Sequence, residues 1–192
     1  MLSFLTGDIQ IGKTRWLMRQ AAVLVASGIE VCGVVAPGTW VRHADGTLEK
    51  TGIDNLLLPE NRVVPFARRN DLVATDDGNG SQSARAGLGW AIDDDAIGEV
   101  NDHFAQLARI GTPGRRLLVV DELGRLELEC GGGLTEAVAL IDRGSTPAFP
   151  HALVVVREAL LDTALERFAD ADWNGTTTMR PTHGWHGEKE ML

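Results

Sequence analysis

Lysine is scarce in this chain: of its eighteen basic residues only Lys13, Lys50 and Lys189 are lysine, and arginine supplies the rest. Clustered basic charge is missing too, since Arg68-Arg69 and Arg115-Arg116 stand apart and the formal net charge is −9. Affinity for DNA or RNA rests on grouped cations, so a nucleic-acid groove is excluded, whereas a nucleotide-sized anion needs only a local positive pocket. The only two cysteines, Cys32 and Cys130, carry no metal-ligand spacing and no disulfide framework, which fits reduced thiols in a cytoplasmic protein. His183 and His186 are the one histidine pair with ligand-like spacing and read as tail residues. No long apolar run exists either: Ser27, Gly28 and Glu30 interrupt the longest, and Met1–Thr6 lacks a basic leader, so neither a membrane span nor a secretory signal is expected.

What the chain does have is a soluble, globular balance, with 44% hydrophobic and 23% charged residues over 192 positions, enough for one domain with a substantial core. Near its start, Gly7-Asp8-Ile9-Gln10-Ile11-Gly12-Lys13-Thr14 satisfies the phosphate-loop, or Walker A, pattern GxxxxGK[ST]. A loop that wraps a polyphosphate must bring its backbone N–H groups close, and glycines at 7 and 12 clear that approach. Lys13 supplies a compact charge for the β- and γ-phosphates, and Thr14 supplies a hydroxyl for Mg²⁺. The context agrees with the motif. Leu2, Phe4 and Leu5 form a short apolar strand before the loop, and Trp16–Val25 reads as a largely buried helix after it, stopped by Gly28. That helix points its positive N-terminal end at the anion, with Arg15 in its first turn.

Strand and helix patterns alternate along the rest of the chain. Glu30–Pro37 reads as a buried strand, and 40–58 as a hairpin turning at Asp45-Gly46, with a further strand over Asn61–Phe66. The stretch 71–89 is rich in Asp, Gly, Asn and Ser and reads as a loop, with a lid carrying Arg85 as its functional interpretation. A helix is expected over Asp93–Ile110, where the run Asp93-Asp94-Asp95 suits capping better than metal binding. Strand 116–120, helix 134–143, strand 152–156 and helix 158–168 follow. No internal repeat is evident. The pattern is that of an α/β domain over 1–170, built on a largely parallel sheet with helices on both faces and a small antiparallel hairpin extension. Residues 171–192 form a C-terminal tail without assignment.

The segment Arg116–Glu122 is an apolar strand ending in two carboxylates, the Walker B form. Asp121 at the strand's carboxyl end suits a Mg²⁺ position opposite Thr14, and Glu122 suits orientation or deprotonation of an attacking water. Arg157 ends the strand 152–156 and so reaches the same edge, where it can meet the γ-phosphate. The extended segment Val119-Val120-Asp121-Glu122-Leu123-Gly124-Arg125-Leu126-Glu127-Leu128 resembles the nucleoside-triphosphatase family first known from thermophiles, whose usual form is close to V-I-D-E-I-G-K-M-E. The resemblance extends through Cys32-Gly33-Val34-Val35, Val41-Arg42 and Thr51-Gly52-Ile53. It implies a RecA-like, three-layer fold of the phosphate-loop NTPase kind and hydrolysis of ATP, GTP and other nucleoside triphosphates to diphosphate and phosphate with Mg²⁺. The loop itself departs from the family's G-x-P-G-x-G-K-T-T, with Asp8-Ile9-Gln10-Ile11 inside it and Arg15 after Thr14.

Taken together, these readings make Glu122, Lys13 and Arg157 the expected catalytic residues. Gly7, Asp8, Ile9, Gln10, Ile11, Gly12, Lys13, Thr14 and Arg15 are expected to bind the nucleotide, and Thr14 and Asp121 the metal. Two alternatives stay open from the residues alone. One is a small-molecule or nucleotide kinase, which would have to exclude the water that Glu122 activates. The other is a nucleotide-dependent switch with slow hydrolysis and a protein partner.

Overall fold

The computed structural model describes residues 1–73 and 81–180. Five strands run parallel in the order β2-β7-β8-β1-β9: β1 (Leu2–Leu5), β2 (Glu30–Val35), β7 (Arg116–Leu123), β8 (His151–Val156) and β9 (Thr176–Met179). The inner strands are apolar on both faces because both faces are covered. Leu118 and Val120 of β7 point into a core shared with α3 (Asp94–Leu107), α5 (Thr135–Asp142) and α6 (Leu161–Arg167). Val119, one residue out of phase, enters a second core against α1 (Lys13–Ala26). The result is three layers, with α1 on one face and the other long helices opposite.

The sheet continues past β2 into an antiparallel block made of β3 (Gly38–Arg42), β4 (Leu48–Leu58), β5 (Arg62–Arg69) and β6 (Trp90–Ile92). The extension is therefore four strands, not one small hairpin, because the segments on either side of the 71–89 stretch also pair. Only Leu56–Leu58 of the eleven-residue β4 pairs with β2, Val35 standing opposite Leu56. The remainder of β4 projects beyond the carboxyl edge of the parallel strands. The lid interpretation of 71–89 falls in part on 74–80, outside the described residues. Within the described part, Gln82–Arg85 forms the one-turn helix α2, with Arg85 exposed at its end.

Local chemistry explains most boundaries. Asp93 Oδ1 caps α3 by accepting from the N–H groups of Asp95 (2.9 Å) and Ala96 (3.3 Å), so the acidic run is a cap as its sequence suggests. Gly33 has φ +118, and a Cβ there would lie 2.0 Å from the Val119 carbonyl oxygen, so only glycine lets β2 lie this close to β7.

Two expectations change. Helix α1 is not largely buried: Leu17 and Ala21 are, but Val23 and Val25 are each 59% exposed. Among the described residues it is the one helix of the second core, so nothing covers its outer side, and an apolar run alone does not reveal how many sides are covered. Residues 171–180, unassigned in the sequence, belong to the fold. Trp173 is 2% exposed, its indole N–H donates to the Ile141 carbonyl at 2.8 Å, and β9 pairs with β1 at the sheet edge. The polar run Thr176-Thr177-Thr178 shows no alternation because an edge strand needs none. No helix among the described residues is long and apolar enough to cross a membrane.

Candidate active site at the carboxyl edge of the parallel strands

The Gly7–Thr14 loop leaves β1 and enters α1 through three left-handed residues: Gly7 (φ 140), Gln10 (φ 61) and Gly12 (φ 98). A Cβ at Gly12 would meet nothing within 4 Å, so its glycine answers to the backbone conformation and not to crowding within the chain. No side chain caps α1 and no acidic residue occupies its first turn, unlike α3. The orphan N–H groups and the positive end of its dipole thus stay available to an anion. Lys13 Nζ donates to the carbonyls of Gly7 and Asp8, both at 2.8 Å, folding the side chain across its own loop. Burial lowers the Lys13 pKa, while the carboxylates of Glu122 and Asp121 pull it back up. Asp8, Ile9, Gln10 and Arg15 are exposed.

Opposite the loop, β7 carries its two carboxylates on an irregularity: the pairing register with β8 shifts between Val120 and Leu123, and Glu122 adopts φ 72. Such a bulge re-aims side chains, and the left-handed conformation costs a non-glycine residue on the order of 1–3 kcal/mol. Asp121 is 3% exposed. Burial pushes its carboxyl up to about 6, against hydrogen bonds from the Ala36 N–H (3.0 Å) and the Thr14 hydroxyl. Glu122 turns the other way, accepting from Arg157 Nε at 2.7 Å and from Nη2 of the same guanidinium.

The structure therefore brings Lys13, Thr14, Asp121, Glu122 and Arg157 to one edge from three separate strand ends, with α1 behind them. Glu127 serves the backbone: half-buried within the short α4 (Arg125–Leu128), it accepts from the N–H groups of Gly124 (2.8 Å) and Leu134 (3.1 Å). Sequence reasoning missed two further groups here. Glu158 accepts from the buried Thr6 hydroxyl (3.2 Å) and pairs with Arg180, which follows β9; nothing in the sequence joins these three residues. The second is Lys50 of β4, on which Glu122, Arg157 and Asp121 act and which only its rarity marks in the sequence.

Thr14 and Asp121 offer a hydroxyl and a carboxylate, the hard oxygen donors that suit Mg²⁺. A buried carboxylate whose charge is penalised by burial is also a place where a cation restores that charge. Among the described residues no group of three or more His, Cys, Asp or Glu forms a metal cage, so an ion here would complete its shell with ligand oxygens and water.

Fold and site define a mixed α/β domain, its parallel strands flanked by helices and its glycine loop facing two carboxylates across one sheet edge. A human cancer-related nucleoside triphosphatase, solved in solution, is similar in fold, with a TM-score of 0.62 over 95% of this chain and 89% of that one, at 20% identity. No protein-family model and no curated protein sequence matches this chain.

Proposed function

We propose that the chain is a Mg²⁺-dependent nucleoside triphosphatase, converting ATP, GTP and related triphosphates to the diphosphate and phosphate. The observation that carries this reading is the convergence of Lys13 and Thr14 on Asp121 and Glu122, with the Thr14 hydroxyl already bonded to the Asp121 carboxylate. The fold likeness to a nucleoside triphosphatase supports it.

In this reading the loop N–H groups and the uncapped start of α1 hold the phosphates, and Lys13 exchanges its bonds to the Gly7 and Asp8 carbonyls for phosphate oxygens. Thr14 and Asp121 hold Mg²⁺, which when bound offsets negative charge on the phosphates. Glu122 orients a water in line with the γ-phosphate and accepts its proton. Arg157 restrains Glu122 at rest. Exposed ion pairs contribute only about 0–1 kcal/mol, so the glutamate is released at small cost, and the freed guanidinium stands beside the developing phosphate charge.

The test is phosphate release from each nucleoside triphosphate with Mg²⁺ by wild type, Lys13→Ala and Glu122→Gln. Loss in both variants, with nucleotide still bound by Glu122→Gln, is expected; unchanged release in both overturns the assignment. Phosphate arriving on an added acceptor would favour a kinase, which the water-activating position of Glu122 opposes. The Glu122–Arg157 pair favours one second reading, a nucleotide switch with a slow resting rate. Tight binding, very slow release and acceleration by cell extract would mark it.

A further inference from the structure

Lys50 is the one lysine besides Lys13 among the described residues. It lies on β4, six positions before Leu56, the residue opposite Val35 near the end of β2. This carries it beyond the end of β2, past the carboxyl edge where the Gly7–Thr14 loop and the β7 carboxylates lie, along a stretch whose pairing register shifts at Ile53–Asp54 and again beside Lys50 itself. Its stem is held. A Cβ at Gly38 would lie 2.7 Å from Lys50 Cε, so the side chain passes over a position kept free by glycine. The ammonium stands 5.3 Å from the centre of the Trp90 ring of β6, a cation–π arrangement that fixes its direction.

Among the described residues the charge at the end of that stem has the Trp90 ring beside it but no anionic partner. Among the described residues no carboxylate lies within ion-pair distance of Lys50 and no hydrogen bond engages it, whereas Arg62, Arg68, Arg69 and Arg157 are each paired with an acid. It is nonetheless partly withdrawn from water, which lowers its pKa, and the groups that act on it are Glu122, Arg157 and Asp121. Glu122, Asp121 and Arg157 are also the charged groups that act most strongly on Lys13. Two lysines from opposite halves of the sheet thus share one electrostatic neighbourhood, one folded onto its own loop and the other waiting without an anion.

Resting on the nucleotide reading above, we infer that Lys50 is a catalytic residue of the same site, contacting the terminal phosphoryl group of a bound nucleoside triphosphate from the side opposite the loop. A diphosphate lacks the group that Lys50 meets, so this lysine sets the preference for triphosphate over diphosphate and stabilises the charge that develops on the transferred phosphoryl. Lysine suits this role because a compact ammonium on a flexible stem follows a moving phosphoryl group, while a planar guanidinium would be drawn into a fixed pair with Glu122.

The test uses the full chain with Lys50→Met, which keeps an apolar stem over Gly38 and Trp90, and Lys50→Arg, which keeps the charge. Binding of fluorescent triphosphate and diphosphate analogues is measured beside phosphate release with Mg²⁺. Lys50→Met is expected to bind diphosphate within about twofold of wild type, to bind triphosphate about tenfold more weakly and to turn over at least about tenfold more slowly, with partial recovery in Lys50→Arg. A Lys50→Met protein with the wild-type triphosphate-to-diphosphate ratio and turnover overturns the inference and leaves the triphosphatase reading standing. Equal loss of both affinities overturns it too, because that marks a general structural role. Wild type that binds neither nucleotide removes the underlying reading, and this inference with it.

Discussion

The parallel and antiparallel halves of the sheet reach the same site by different routes. In the parallel half each functional group sits at a strand end or in the loop that follows it, and the backbone there is shaped to present it, with Gly12 at φ 98, Glu122 at φ 72 and Arg157 directly after β8. In the antiparallel half the group that arrives, Lys50, is the third residue of β4, beside a register shift in the pairing with β3 but with no positive φ, carried there because β4 overruns β2. Residues that need strained or glycine backbone leave a written motif, whereas a residue delivered by strand length leaves none.

The comparison breaks or sharpens most strongly at the two lysines. Lys13→Ala should lower kcat/KM for phosphate release by roughly a thousandfold, against about tenfold for Lys50→Met, because Lys13 holds the phosphates that Lys50 only completes. Equal losses at both would mean that the halves share the work evenly. Next in size is Trp173→Ala, expected to cost about 3–5 kcal/mol in urea unfolding. Because β4 pairs directly with β2, the loss should appear as one cooperative transition, and two separate transitions would show the halves unfolding independently.

A smaller effect is expected at the seam. His103 of α3 is buried, with Nε2 3.2 Å from the Gly33 carbonyl oxygen and Nδ1 3.7 Å from Glu60, and burial holds its pKa below the ordinary value of about 6.5. The unfolded chain therefore takes up a proton that the folded chain refuses. This contribution to stability is complete above about pH 6.5 and is lost as pH falls through the folded-state pKa. His103→Gln should flatten that part of the stability profile measured by denaturant titration between about pH 7 and 5. The smallest effect is chemical: burial pushes the Cys32 thiol of β2 up to about 12, while Cys130 is exposed. A maleimide should label one thiol in the native protein and two in denaturant.

Legibility followed the same division. Strand 116–120 and the helix over 93–110 were readable because one repeats apolar residues without break and the other repeats them at helical spacing. Asp121 and Glu122 were readable as a pair, but their opposite directions were not, since a bulge depends on the partner strand and β8 lies far along the chain. Trp173 and β9 were silent because an edge strand of threonines has no face to reveal, and the exposed side of α1 was misread because apolar content does not count neighbours.

By itself the sequence determined the local chemistry: a glycine loop with Lys13 and Thr14, an apolar strand closed by two carboxylates, and an alternation of strand and helix that calls for an α/β sheet. Only the tertiary structure decided that Arg157 holds Glu122, that Thr14 meets Asp121, that Glu158 joins Thr6 to Arg180, and that β4 carries Lys50 beyond the end of β2. Local patterns follow from backbone sterics and hydrophobic period within a few residues, whereas the bonds from Glu158 to Arg180 and to Thr6 span 22 and 152 positions. Such contacts exist only once the strand order sets which ends lie side by side.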